Sequence, residues 1–188
     1  MNSHSVDVWT IHLDSARRVI LTPEEQARAA RFRFEGDRLH WTHARSALRE
    51  ILGAYVATPP EAIQFTYGPN GKPSTRGIEF NLSHARNRAM IAVSRDVPVG
   101  IDIESIRENV EIGKLLGRIG ETETAGSTEQ LFQRWTRREA RTKALGWSLM
   151  ELPPPNVIAI DLEAPPGFAA SAALVDHLPS VHYCGRPE

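Results

Sequence analysis

Asp102 and Glu104 lie in the stretch Val99-Gly100-Ile101-Asp102-Ile103-Glu104, where Val99, Ile101 and Ile103 alternate with small or polar residues. That is the period-two pattern of a strand with one face in a core, and it sets both carboxylates side by side on the other face. Two carboxylates so close repel unless a cation lies between them. Hard oxygen donors suit Mg2+, above all when phosphates complete its coordination. A third candidate ligand, Glu139, falls in Trp135-Thr136-Arg137-Arg138-Glu139-Ala140-Arg141-Thr142-Lys143. On a helix Glu139 and Lys143 share a face, and two readings are open. They form a surface ion pair worth a few tenths of a kcal/mol, or Glu139 turns toward Asp102 and Glu104 while Lys143 offers its charge to a phosphate.

Other candidates are weaker alone. Asn81-Leu82-Ser83-His84 closes a strand and leaves His84 just beyond its end, where a histidine serves either as a hydrogen-bonded structural residue or as a ligand contact. Lys72 follows the turn Gly68-Pro69-Asn70-Gly71 and precedes Pro73, a place for a phosphate contact or for ordinary turn chemistry. His40 and His43 are three apart on a helix, with no carboxylate or further histidine nearby in sequence to complete a zinc site. Ser83 and His84 are neighbours that point apart, without nucleophile-elbow glycines, which argues against a serine hydrolase. The single Cys184 cannot form an internal disulfide or a thiolate metal site.

The elements that must position these residues can be read along the chain. Residues 6 to 13 alternate as a strand. Thr22-Pro23-Glu24-Glu25 carries an N-cap, a proline at the first helical position and an acid at the third, so a helix begins there and runs to about Phe34. A longer helix spans about Asp37 to Tyr55, with Trp41, Ala44, Leu48, Ile51, Leu52 and Tyr55 as its apolar stripe and Arg38, Arg45 and Arg49 on a face expected to be solvated. Strands are expected at 63 to 67, 78 to 82, 89 to 94 and 99 to 104. Residues 105 to 126 show no clear pattern, and Gly113, Gly117 and Gly120 lack phosphate-loop spacing. Ser127 with Gln130 begins the helix that carries Glu139, and Gly146 ends it. Strands follow at 157 to 162, 168 to 174 and 181 to 184. Short strands with interspersed helices and hairpin-length loops argue an α+β fold rather than a doubly wound parallel sheet.

Composition bounds the function. The chain has 188 residues, long enough for one domain or two small halves, with 41% hydrophobic and 24% charged residues. Lys and Arg total 22 against 23 Asp and Glu, which gives no general electrostatic grip on nucleic acid. No apolar run is long enough to span a membrane, and the N-terminus does not read as a signal peptide, so a cytoplasmic location is the default.

Taken in order, Gly71-Lys72-Pro73, Asn81-Leu82-Ser83-His84, Val99-Gly100-Ile101-Asp102-Ile103-Glu104 and Trp135-Thr136-Arg137-Arg138-Glu139-Ala140 through Lys143-Ala144-Leu145-Gly146 resemble the Sfp-type 4′-phosphopantetheinyl transferases. Ala27-Arg28-Ala29-Ala30-Arg31-Phe32-Arg33-Phe34, with Asp37-Arg38 and the helix to Arg49, is similar to that family's N-terminal half, and Phe168-Ala169-Ala170-Ser171-Ala172 resembles its last strand. The resemblance implies two similar α+β halves related by a pseudo-twofold, residues 1–97 and 98–188, each a small antiparallel sheet with packed helices. It implies coenzyme A and Mg2+ in the cleft between them, and transfer of the phosphopantetheine arm onto a serine of an apo acyl or peptidyl carrier protein of fatty-acid, polyketide or peptide synthesis, with release of 3′,5′-ADP. Carried over by motif, Asp102, Glu104 and Glu139 would hold Mg2+. Arg28, Lys72 and His84 would contact the 3′-phosphate and nucleotide, with Ser83 as an accessory, and Lys143 would contact the pyrophosphate. Glu139, or a water it orients, is the candidate base. Two internal halves make a monomer the expectation.

The sequence departs from the family at Arg138, where lysine is common, and at Arg141, often an aromatic or apolar position. The 105–130 segment and the C-terminus are short. A competing expectation is therefore a degenerate member that binds coenzyme A or a carrier partner without catalysis. A different Mg2+-dependent phosphate-handling enzyme ranks below it.

Overall fold

The computed structural model describes residues 3–108, 117 and 126–184. The expected helix capped by Thr22 is present, with the full reciprocal capping box to Glu25, but it ends early: α1 is Pro23–Ala29. The chain turns at 30–34 and re-enters a helix, α2, over Glu35–Tyr55. After a short 3-10 turn at Pro60–Ala62, the strand expected at 63 to 67 shrinks to β2, Thr66–Tyr67, paired with β3, Pro73–Ser74. The remaining strands of this part are β1, Ser3–His12; β4, Glu79–Ala85; and β5, Arg88–Ser94. Then follow β6, Val99–Ser105; α3, Thr128–Leu145; β7, Val157–Asp161; β8, Phe168–Val175; and β9, Leu178–Tyr183. This is an α+β fold.

The same order of elements occurs twice. A strand, a helix and a two-stranded hairpin (β1, α2, β4–β5) form a sheet in the order β4-β5-β1, and β6, α3 and β7–β8 form a sheet in the order β7-β8-β6. All of these pairings are antiparallel. The exception to this division is β9, which leaves β8 through a two-residue link and runs parallel to β1, adding a fourth strand to the first sheet. The last strand is therefore built into the sheet of the first.

Alternation along the strands places the layers. Val6, Val8, Met90 and Ala92 of the first sheet meet Val99, Ile101, Ile103, Ala170, Ala172 and Leu174 of the second in one core. On the outer face of the first sheet, Ile11, Ala89, Ile91 and Val93 pack against Ala44, Leu48, Ile51 and Leu52 of α2. On the outer face of the second, Ala173 packs against Ala140 and Ala144 of α3, and Ala169 against Phe132 and Trp135. Helix, sheet, sheet and helix thus stack as four layers. No helix among the described residues is long and apolar enough to cross a membrane.

One expectation about α2 fails. Arg45 and Arg49 do not lie on a solvated face; they are buried, and both bind the buried carboxylate of Glu25, at 2.5 and 2.8 Å. Arg49 also donates to the carbonyls of Pro60 and Ile63, and the Arg45 guanidinium stacks 3.7 Å from the centre of the Phe65 ring. Burial alone would raise the Glu25 carboxyl, but the bonds from Arg49, Thr22 and Arg45 outweigh it and hold it below the usual carboxylate range. Period-based reading missed this because a buried ion triad and a solvated basic stripe have the same spacing.

Candidate active site

The strand β6 was expected to bury one face, and it buries both. Val99, Ile101 and Ile103 enter the core, while Gly100 and Asp102 lie beneath α3, and Asp102 is only 1% exposed. Gly100 makes this possible: a Cβ there would stand 1.9 Å from the Ala140 carbonyl oxygen and 2.4 Å from the Ala144 nitrogen. The contact of a glycine with alanines four apart lets α3 ride against the backbone of β6, which brings Glu139 and Lys143 down onto Asp102. Further bonds fix the helix over the sheet. Gln133 donates to the Ala170 carbonyl at 2.8 Å and to the Ser171 hydroxyl at 3.1 Å, and the Thr136 and Ser171 hydroxyls are 2.8 Å apart. Ser171 faces Asp102 across the β6–β8 ladder. Ser127 caps the start of α3, and Gly146, left-handed at φ 67°, closes its end as expected.

The Lys143 ammonium lies among the acids. It donates to Asp102 Oδ1 at 2.5 Å and to Glu139 Oε2 at 3.0 Å, and reaches the Ser83 hydroxyl at 3.2 Å. Ser83 in turn donates to Asp102 Oδ1 at 2.8 Å. Asp102 Oδ2 is buried and has no hydrogen-bond partner among the described residues. Burial raises the Glu104 carboxyl, and the neighbouring charges of Asp102 and Glu139 add to the rise. Burial also raises Glu139, with Lys143 opposing and Asp102 reinforcing the shift. For Lys143, burial lowers the ammonium's value but Asp102 and Glu139 overturn that and raise it. Arg107 stands 3.9 Å from Glu104. The Glu139–Lys143 ion pair is formed, and its lysine faces inward, to Asp102.

A groove of about 280 Å³ opens among α1, α2 and β4, and the cluster connects to it through β4. Arg28 and His84 both line it, with Trp41, Tyr67, Gly71 and Leu82, and the Arg28 guanidinium lies 5.4 Å from the centre of a Trp41 ring. Successive residues of β4 divide the work: Ser83 is buried and turns to Asp102, while His84 is exposed to the groove. Burial lowers the His84 imidazole, the Lys143 and His40 charges lower it further, and Asp37 opposes them. The apolar and aromatic walls, with the Arg28 guanidinium and an imidazole that an anion would protonate, suit a flat, anionic ligand.

The fold does not bring Lys72 to that groove as a free cation. Its ammonium donates to the carbonyls of Val99, at 3.1 Å, and Ala144, at 2.8 Å, and burial pulls its value down to about 8. Asn70 donates to the Gly146 carbonyl at 3.0 Å. The 68–72 turn therefore docks on the carbonyl end of α3, where a lysine also meets the negative end of the helix dipole. Asn81 makes a parallel join between the halves, its side-chain oxygen accepting from the Ile101 backbone N–H at 2.9 Å.

The two family departures described here both lie away from the acids. Arg138, 1% exposed, donates to the carbonyls of Leu149 and Glu151, and Arg141 donates to those of Pro153 and Pro154. Both tie down the loop after α3. Residues 105 to 126, which show no clear pattern in sequence, fall largely outside the described residues. His40 bonds to Asp14 and His43 to the Leu13 carbonyl.

The acid–lysine cluster thus lies between β6 and α3, and the aromatic-walled groove lies wholly among residues of the first repeat, the two joined through Ser83 and His84 of β4. The family model for the N-terminal part of 4′-phosphopantetheinyl transferases matches residues 9–96. The 4′-phosphopantetheinyl transferase HetI of Nostoc sp. (strain PCC 7120) is 35% identical over 171 residues, covering 80% of this chain and 72% of HetI. The putative 4′-phosphopantetheinyl transferase slr0495 of Synechocystis sp. is 31% identical, covering 69% of this chain and 58% of its own. The 4′-phosphopantetheinyl transferase psf-1 of Bacillus pumilus is 35% identical, covering 65% and 57%. This chain belongs to the 4′-phosphopantetheinyl transferase family, and it spans between 57% and 72% of the length of these three relatives.

Proposed function

We propose that the protein transfers the 4′-phosphopantetheine arm of coenzyme A to a serine hydroxyl of an apo acyl or peptidyl carrier protein, releasing 3′,5′-ADP. The observation that carries this reading is that, in a member of this family, one strand joins the two places: Ser83 of β4 bonds to Asp102 and Lys143 of the acid cluster, and the next residue, His84, lines the groove with Arg28. The groove takes the nucleotide end of coenzyme A, with Trp41 and Leu82 against the base or ribose and Arg28 and His84 on the 3′-phosphate. Lys72 supports the reading differently from a nucleotide contact: joined to two carbonyls, it holds α3 against β6 and so sets Glu139 and Lys143. Ser83 acts likewise, orienting Asp102 from beneath.

Mg2+ fits the acids by their chemistry. Asp102, Glu104 and Glu139 are hard oxygen donors, and Oδ2 of Asp102, buried and without a hydrogen-bond partner among the described residues, is an atom whose desolvation a cation would repay; here the Lys143 ammonium lies between Asp102 and Glu139, so Mg2+ would draw the three carboxylates closer together than they stand. When bound, Mg2+ supplies charge that offsets the pyrophosphate and the departing phosphate. The chain's own residues do the rest. Lys143 lies within reach of both carboxylates and presents its ammonium to the pyrophosphate, and Glu139 accepts the proton of the attacking hydroxyl as the new P–O bond forms. The serine oxygen displaces 3′,5′-ADP directly: as the new P–O bond forms at the pantetheine-side phosphorus, the pyrophosphate P–O bond breaks and its bridging oxygen leaves on 3′,5′-ADP, with no covalent enzyme intermediate. A monomer is the working unit of this reading, and a cytoplasmic location remains the reading for a chain with these partners.

The test is the intact mass of a purified apo carrier protein after incubation with coenzyme A, Mg2+ and the enzyme. A gain of one phosphopantetheine arm supports transfer. Coenzyme A binding with an unchanged carrier mass would establish the binding-only alternative, whose sequence support has narrowed now that Arg138 and Arg141 are seen to brace a loop rather than face the acids.

A further inference from the structure

The parallel pairing of the first and last strands assembles a second group of ligating side chains, on the opposite side of the molecule from α3. In the β1–β9 register Asp7 stands beside His182, and Cys184, two residues further on, directs its side chain to the same face. One ligating atom from each of Asp7, His182 and Cys184 can be chosen so that all lie within 4.8 Å of one another. Asp7 Oδ1 is 3.1 Å from His182 Nδ1, and Cys184 Sγ is 3.6 Å from the same nitrogen. The spacing is informative. With metal–sulfur, metal–nitrogen and metal–oxygen bonds of about 2.3, 2.05 and 2.1 Å, a tetrahedral zinc ion places sulfur and nitrogen about 3.6 Å apart, and nitrogen and oxygen about 3.4 Å apart.

A second feature has the form of an outer support for a ligand. The Tyr55 hydroxyl, at the end of α2, donates to Asp7 Oδ2, which leaves Oδ1 directed at His182. Ligating carboxylates are commonly fixed by such a bond. The backbone holds the third ligand, since the Cys184 N–H donates to the Val8 carbonyl at 2.9 Å. Asp7 is partly buried while His182 is open to solvent, with side-chain exposures of 27% and 72%, so a water has access to a fourth position.

We propose that Asp7, His182 and Cys184 bind a divalent transition-metal ion of the zinc type, which clips the last strand to the first. One thiolate, one imidazole nitrogen and one carboxylate oxygen form a donor set that favours such an ion over Mg2+. A single cysteine cannot build a thiolate cluster, which is why Cys184 drew no metal assignment from sequence. Its partners come from residue 7 and residue 182, and only the parallel β1–β9 pairing unites them. The site is independent of the transfer chemistry, because none of its residues touches the acid cluster or the groove.

The test is titration of the chelator-stripped full chain with Co2+ followed by absorption. The expected result is one equivalent of Co2+ producing a near-ultraviolet thiolate charge-transfer band with tetrahedral visible bands, both displaced by Zn2+. Cys184→Ser and His182→Ala should remove the band, Tyr55→Phe should weaken binding by about tenfold or more, and Asp102→Asn should leave it intact. Zn2+ should raise the melting temperature of the parent chain and not that of Cys184→Ser. Absence of a thiolate band in the parent chain, or its persistence in Cys184→Ser, would overturn the proposal.

Discussion

Individual residues carry the most direct consequences. Glu25 sits under two buried guanidinium groups, so Glu25→Gln leaves Arg45 and Arg49 without their carboxylate and is expected to cost about 3–5 kcal/mol in a denaturant melt at neutral pH. The pH dependence follows from the sign of its shift. The folded carboxyl lies below the ordinary value of about 4.3, so its stabilisation is fully present above that value and is lost as pH falls through the folded value. The parent chain should therefore lose stability on acidification more steeply than Glu25→Gln, and parallel acid profiles would contradict the triad. His84 behaves in the opposite sense. Its imidazole is held below the usual range in the free protein, and a dianionic phosphate beside it would raise it. Binding then takes up a proton, so KM for coenzyme A should climb as pH rises from 6 to 8, by no more than about tenfold per pH unit. His84→Gln should flatten that climb; a climb of equal steepness in the variant would assign it to another group.

At the scale of elements, the decisive contact is between β6 and α3. Gly100→Ala places a methyl against the Ala140 carbonyl and the Ala144 nitrogen, which α3 can relieve only by lifting off the strand and taking Glu139 and Lys143 with it. The expected result is a loss of about 1–3 kcal/mol in stability together with a fall in kcat larger than any change in coenzyme A affinity, since the groove residues lie on α1, α2, β2, β3, β4 and the 68–72 turn and none lies on β6 or α3. Unchanged kcat in a folded variant would show that the close approach does not set the site. Much of this element was readable beforehand: the Ser127 and Gly146 caps, the shared face of Glu139 and Lys143 and the alternation of β6 all lie in local sequence. The close contact was not, because Gly100 and the Ala140–Ala144 pair are far apart in the chain, although a glycine inside a strand is a signal of backbone approach. The Thr22 cap likewise announced α1, while its early end and the turn at 30–34 had no comparable signal. Arg45 and Arg49 were misread as solvated because their partner, Glu25, belongs to another helix.

At the scale of the whole molecule, the two repeats share one core and β9, which follows the second, completes the sheet of the first, so they are expected to unfold together. Val6, Val8, Met90 and Ala92 would be bared if residues 98–188 separated, and β1 would lose β9. A single calorimetric transition is expected, and two resolved transitions would contradict the shared core. The doubled strand–helix–hairpin order was legible only through the resemblance, since the two copies differ in sequence, and the return of β9 to β1 had no local mark. What the fold achieves with this arrangement is a seam where β4 meets β6, with Ser83 and Asn81 on one side and Asp102 and Ile101 on the other. The account stands on that seam holding a divalent ion against a pyrophosphate. Its most direct test is the rate of phosphopantetheine transfer to an apo carrier protein, read by mass, as Mg2+ is titrated into chelator-treated parent enzyme and Asp102→Asn. The account predicts no transfer by the parent without the ion, saturation on adding it, and a loss of at least about a hundredfold in the variant. Full transfer by the parent in excess chelator, or an Asp102→Asn titration that overlays the parent's, would contradict it.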